Sequence, residues 1–102
     1  MALHTTPQVT ALQAQATANL FLSDHLPDRF TAAQPHLDPR GDVWHVPVVL
    51  AYPGIGSIGQ VGDILISTTT AAVVSSTSLT EMRRTAQDLY NAHRDAIEAA
   101  FL

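Results

Sequence analysis

Val43-Trp44-His45-Val46-Pro47-Val48-Val49-Leu50-Ala51-Tyr52 is the stretch that decides the fold. Trp44, Val46, Val48, Leu50 and Tyr52 alternate with Val43, His45, Pro47, Val49 and Ala51, the period of two that sends successive side chains to opposite faces of a strand. The first set predicts the core face. The second set is nearly as apolar, which is unusual for a strand with one wet side and points to a second buried or docking face. Pro47 has no N–H to give a ladder, so an edge or an unpaired side of the strand is expected there.

Working outward, residues 60–68 read as a second strand in which Ile64 and Ile66 share one face and Val61, Asp63 and Leu65 the other. Residues 71–75 read as a third. Short connections favour an antiparallel meander. Downstream, Ser78 stands three residues before Glu81 in capping-box spacing, and Leu79, Met82, Ala86, Leu89, His93 and Ile97 recur at helical intervals, predicting one helix over 79–99. Upstream, Thr6-Pro7 offers an N-cap and a proline at the first helical position. A helix over 7–23 follows, with Val9, Leu12, Ala16 and Leu20 as its apolar stripe. Leu26 precedes Pro27 and is thereby pushed out of the α region. The stretch 24–42 holds three prolines and Arg40-Gly41-Asp42, the composition of a connection with turns and no regular element. The expected fold is therefore a single α+β domain over 1–102: a two-layer, three-stranded antiparallel meander flanked by an N-terminal and a C-terminal helix.

Composition narrows the function. A chain of 102 residues, 46% hydrophobic and 14% charged, has enough apolar surface for one core and lies far from the signature of disorder. A formal net charge of -4, with no lysine and only Arg29, Arg40, Arg83, Arg84 and Arg94 as permanent cations, argues against nucleic acid as a partner, because phosphate neutralisation needs a basic surface. There is no cysteine, so disulfides, thiolate catalysis and thiolate metal sites are excluded. The N-terminal residues lack the basic start and apolar run of a signal peptide, and no apolar run reaches the roughly 18–20 residues of a membrane span. No membrane association and a cytoplasmic setting are the expectation.

Gly54-Ile55-Gly56-Ser57-Ile58-Gly59 has the spacing of the dinucleotide-binding glycine fingerprint, but a strand follows where that motif requires a helix. The expected role is a glycine-rich connection, with a small anion or ligand held by exposed N–H groups as the alternative. His4, His25, His36, His45 and His93 show no helical i, i+4 pair and no His-x-His pair, so neither a metal nor another cofactor is expected. Asp24, His25, Asp28, His36 and Asp38 are the densest run of potential ligands. No serine sits in a nucleophile elbow and no residues fill the roles of an active site, so no catalytic residue is assigned.

Trp44-His45-Val46-Pro47-Val48, then Gly59-Gln60-Val61-Gly62-Asp63-Ile64-Leu65-Ile66 and Glu81-Met82 in a helix, resemble small uncharacterised prokaryotic proteins of the same helix-strand-helix order, some of them encoded beside nuclease-type toxins. The same stretch, roughly 43–82, more faintly resembles the PepSY module, in which a tryptophan-bearing strand precedes a Gly-x-Val-Gly-Glu-like strand. Thr69-Thr70-Ala71-Ala72 stands where that module carries an Asp and a Thr-Gly turn. Neither group supplies a catalytic motif. The resemblance implies a regulatory or antitoxin-like role on a protein partner.

The leading expectation is a non-enzymatic protein-interaction module, a homodimer or a binder of another protein, with Val43, His45, Val49, Val61 and Leu65 at the interface. The competing expectation is a small-molecule or anion sensor using the loop 53–62, with Tyr52, Gly54, Gly56, Ser57 and Gly59 as ligand-binding residues. A hydrolase-type enzyme built on Asp24, His25 and His36 is the third.

Overall fold

The computed structural model describes residues 8–27 and 29–100. Helix α1 spans Ala11–His25 and is followed by strands β1 (Phe30–Ala32), β2 (His36–Leu37), β3 (Val43–Tyr52), β4 (Gly56–Ser67) and β5 (Val73–Ser76). Helices α2 (Leu79–Ala92) and α3 (Arg94–Ala100) complete the chain. The fold is α+β, with an antiparallel sheet of order β1-β3-β4-β5 in which β2 also pairs with β3. Five strands replace the expected three. Phe30–Ala32 and His36–Leu37 are too short to show alternation, and Pro27, Pro35 and Pro39 around them read as a connection; pairing with β3 at Leu50, Val49 and Val48, and at His45 and Trp44, makes them strands.

Pro47 is not at an edge. It lies in the central strand, opposite Asp63 of β4, and its carbonyl accepts the N–H of Ala33 at 2.8 Å. Its missing N–H faces the same side as that carbonyl, toward the gap between β1 and β2, which is the unpaired side of the strand that a proline allows.

The first helix begins later than Thr6-Pro7, which lie outside the described residues. Thr10 is its N-cap: the Thr10 hydroxyl accepts the Gln13 N–H at 3.1 Å and the Gln13 side chain accepts the Thr10 N–H at 2.8 Å, a reciprocal capping box. The buried stripe is Ala14, Ala18 and Leu22, whereas Leu12 and Leu20 are 75% and 67% exposed. Apolar residues on several sides of this helix left its phase ambiguous, and the two alanines won because they let the backbone approach the sheet. Helix α1 also shields one sheet edge. Asn19 Oδ1 accepts the Ala32 N–H at 2.9 Å and Gln15 Nε2 donates to the Ala32 carbonyl at 3.0 Å, so the outer strand β1 presents no free ladder group at that residue.

The last helix is broken in two. At His93 the backbone leaves the helical region (φ -116, ψ 16), and both its N–H and its ring Nδ1 approach the Leu89 carbonyl, at 3.0 and 2.9 Å. The ring competes for a helical acceptor, and Arg94 starts a new helix. No helix among the described residues is long and apolar enough to cross a membrane.

Both long helices pack on one face of the sheet. Ala14, Ala18 and Leu22 from α1, Met82 and Ala86 from α2, and Val46, Val48, Leu50, Ile64 and Ile66 from the sheet form one core. The expected core face of β3 is the observed one. In β4 the pairing Val48 with Gly62 is followed by Val49 with Gln60, leaving Val61 as an extra residue, a β-bulge. The bulge changes the phase of the strand, so Val61 joins the core at 5% exposure.

Candidate functional site

The uncovered face of the sheet carries most of the expected interface. Val43, His45 and Val49 of β3 are each half-buried there, and Leu65 of β4 lies directly opposite His45. Val61 belongs to the core instead, and Val73 packs against the core as well. What remains is Val43, Pro47, Val49 and Leu65, with His45 between Val43 and Pro47, Asp63 directly across from Pro47, and exposed Thr31, Gln60 and Ser75 around them.

At the end of this face nearest the start of β3, His45 Nε2 lies 3.3 Å from Asp38 Oδ1. The Asp38 carboxyl is held below its ordinary value, first by the backbone N–H of Arg40 and then by His45. The Arg40 N–H donates to Asp38 Oδ2 at 3.0 Å, and the Gly41 N–H closes the turn on the Asp38 carbonyl at 2.8 Å. Gly41 has φ +78, so Arg40-Gly41-Asp42 is a turn into a strand. His36 is the cross-strand partner of His45, while His25 sits at the far end of α1 with its ring on Phe21. The residues Asp24, His25 and His36 are therefore not gathered into one centre. No group of three or more His, Asp or Glu side chains able to hold a metal occurs among the described residues.

The glycine-rich stretch is mostly strand. Gly56, Ser57 and Gly59 belong to β4 and pair with Tyr52, Ala51 and Leu50. Only residues 53–55 form the turn, with Pro53 followed by Gly54 at φ +81 and the Ile55 N–H bonded to the Tyr52 carbonyl at 3.1 Å, the geometry of a type II turn. Strand pairing thus absorbs the segment expected to cradle an anion. Gly59 serves packing, since a Cβ there would meet Leu89 at 2.9 Å.

Of the residues expected to bind a ligand, Tyr52 does line a cavity. An open cleft of about 490 Å³ lies between the end of β3, the start of β1 and one face of α2. Phe30, Leu50 and Ala86 floor it, all buried in the core. Tyr52 and Tyr90 form a tilted pair with ring centroids 6.3 Å apart, and the Arg29 guanidinium lies 5.2 Å from the centre of the Tyr52 ring, a cation–π arrangement. Arg83 Nη2 donates to the His25 carbonyl at 3.1 Å and fixes a second guanidinium at the rim. Arg83, Gln87 and Tyr90 fall on one helical face, a spacing that the sequence reading passed over. Arg29 and Phe30 gave no signal, because β1, which begins at Phe30 just after Arg29, was itself not legible.

No family model matches the chain, and neither a curated protein nor a solved structure is similar to it.

Proposed function

We propose that the chain is a non-enzymatic protein-interaction module that self-associates through the uncovered sheet face. The observation that supports this reading is the one-sided placement of the helices: α1 and α2 share a core on one face, and the band Val43, Pro47, Val49 and Leu65 is left without a covering layer among the described residues. Packing two such faces removes apolar area from water at roughly 25 cal/mol per Å² and places rim against rim.

Neutrality favours a second copy. The band and the neighbouring strand β5 carry no formal charge other than Asp63, which lies directly across from Pro47, so a two-fold arrangement that offsets the two Asp63 side chains brings few like charges together. The β5 edge lies beside this surface, with Val74 58% exposed; unlike β1, it has no strand or helix side chain on its outer side among the described residues. Regulation of a further protein partner is the extension of this reading.

Size-exclusion chromatography with light scattering tests it. A dimer at micromolar concentration that becomes a folded monomer in Val49→Asp is the expected result. A monodisperse monomer for the native chain, or a dimer indifferent to Val49→Asp, overturns it.

A further inference from the structure

We infer that the outer face of α1 is a docking surface for α1 of a second copy of this chain, the two helices running antiparallel and crossing at Ala16. Leu12, Ala16 and Leu20 stand four residues apart and form one ridge along the helix. Leu12 and Leu20 are 75% and 67% exposed, more than any other large hydrophobic side chain among the described residues, and Ala16 between them is exposed as well. Ala16 and the buried Ala18 are two residues apart, and on a helix of about 3.6 residues per turn that sends them to nearly opposite sides. The ridge therefore looks away from the core. No residue in 8–23 is charged, so α1 has no wet side. The other long helix has one, since Glu81, Arg84 and Asp88 are exposed on the outer side of α2. A helix that is apolar on all sides is one that is covered on all sides, and the core lies on only one side of α1.

The ridge itself points to the occupant. Leu-x-x-x-Ala-x-x-x-Leu reads the same from either end, so a two-fold axis through Ala16 sets Leu12 of each copy against Leu20 of the other. The small side chain at the centre lets the two axes approach to about 8 Å, the near end of helix packing distances. Antiparallel pairing also places the helix dipoles head to tail, and an uncharged ridge brings no like charges together. A bilayer surface is the other home of an apolar helix face, but helices that lie on lipid carry lysine or arginine beside that face, and α1 has neither. One face of a 15-residue helix, about 22 Å by 10 Å, falls well short of the roughly 800 Å² per partner of a stable complex. The contact is thus a weak, concentration-dependent one. It is separate from the proposed sheet-face contact, because the ridge lies outside the helix layer and the uncovered face lies on the other side of the sheet. Occupied together, two such two-fold contacts link copies into a tetramer or an open chain.

Disulfide cross-linking tests the inference, because the chain has no cysteine of its own. Under diamide, Ala16→Cys is expected to form a linked dimer at least tenfold faster than Arg84→Cys, whose thiol sits on the charged outer side of α2. Leu12→Cys mixed with Leu20→Cys is expected to link at least tenfold faster than either variant alone, the mark of the antiparallel register. Leu20→Glu added to Ala16→Cys is expected to slow linking at least tenfold with an unchanged unfolding midpoint. Equal rates for Ala16→Cys and Arg84→Cys overturn the proposal, whatever else covers the ridge. So does faster linking of either leucine variant with itself than with the other. Co-sedimentation with phosphatidylcholine vesicles that Leu20→Glu abolishes also overturns it. Copies joined by the sheet face alone keep their Ala16 positions far apart on outer sides, so the cross-linking rates report the α1 contact whether or not the sheet-face reading holds.

Discussion

The indole Nε1 of Trp44 donates to the main-chain carbonyl of Val9 at 2.7 Å, joining the central strand to the residue that leads into the first helix. The Val9 N–H in turn donates to the Thr68 carbonyl at 2.9 Å, and Thr68 Oγ1 lies 2.8 and 3.0 Å from the carbonyls of Gly41 and Asp42. Trp44→Phe keeps the ring and removes the donor. It is expected to cost about 1–2 kcal/mol, the penalty for a carbonyl left unpaired near the core. Urea unfolding of the two proteins measures it, and a change within 0.3 kcal/mol, roughly the spread of independent sites, would mean water replaces the indole.

Gly62 has no room for a side chain. A Cβ there would lie 2.8 Å from Thr77 Cβ and 2.9 Å from Met82 Cγ, where the start of α2 crosses the bulged strand. Gly62→Ala is expected to destabilise by about 1–3 kcal/mol through overpacking. Gly59→Ala meets only the end of Leu89, a side chain that can turn away, so its cost should be smaller. The order of the two thermal midpoints checks the argument.

Ala71 is held at φ +63 in the turn between β4 and β5, a region that costs a residue with a Cβ roughly 1–2 kcal/mol. Ser67 keeps it there: its hydroxyl accepts the N–H groups of Thr69 and Thr70, each at 3.2 Å. Ala71→Gly relieves the strain but loosens the unfolded chain, so a net gain of about 0.5–1 kcal/mol is expected. Denaturant midpoints decide the sign.

Asp38 titrates below its ordinary carboxylate value because the Arg40 N–H and then His45 favour its charged form. A group whose native pKa is depressed binds a proton less readily folded than unfolded. Its contribution is therefore complete above the unfolded value of about 3.9 and is lost as pH falls through the native one. Carbon-detected titration of the Asp38 carboxyl should show that depressed midpoint, and Asp38→Asn should flatten the acid limb of the stability curve.

Strong periodicity made the long elements legible. Alternation in 43–52 identified β3 and its core face, and the spacing of Leu79, Met82 and Ala86 with Ser78 as cap identified α2. Where two readings had similar apolar content, pattern failed: α1 turned Ala14 and Ala18 inward and left Leu12 and Leu20 outside. The strands β1 and β2 depend on pairing partners distant in sequence, which no local window contains. The uncovered face was legible except at Val61, which a bulge in β4 turns into the core. The cleft was not legible: Tyr52 was read with the loop 53–62, and Arg83, Gln87 and Tyr90 of α2, with Arg29 and Phe30, meet it only through the fold.

Two extra residues, Ile58 and Val61, change the parity of β4 twice. Between them the odd-numbered Gly59 and Val61 turn toward the helices; after Val61 the even-numbered Gly62, Ile64 and Ile66 do. Val48 and Val49 are consecutive on β3, so excising Val61 would leave Gly62 and Gln60 paired as they are and both halves on their own faces. What the extra residue supplies is a buried side chain on the helix side, between two glycines that have none to give.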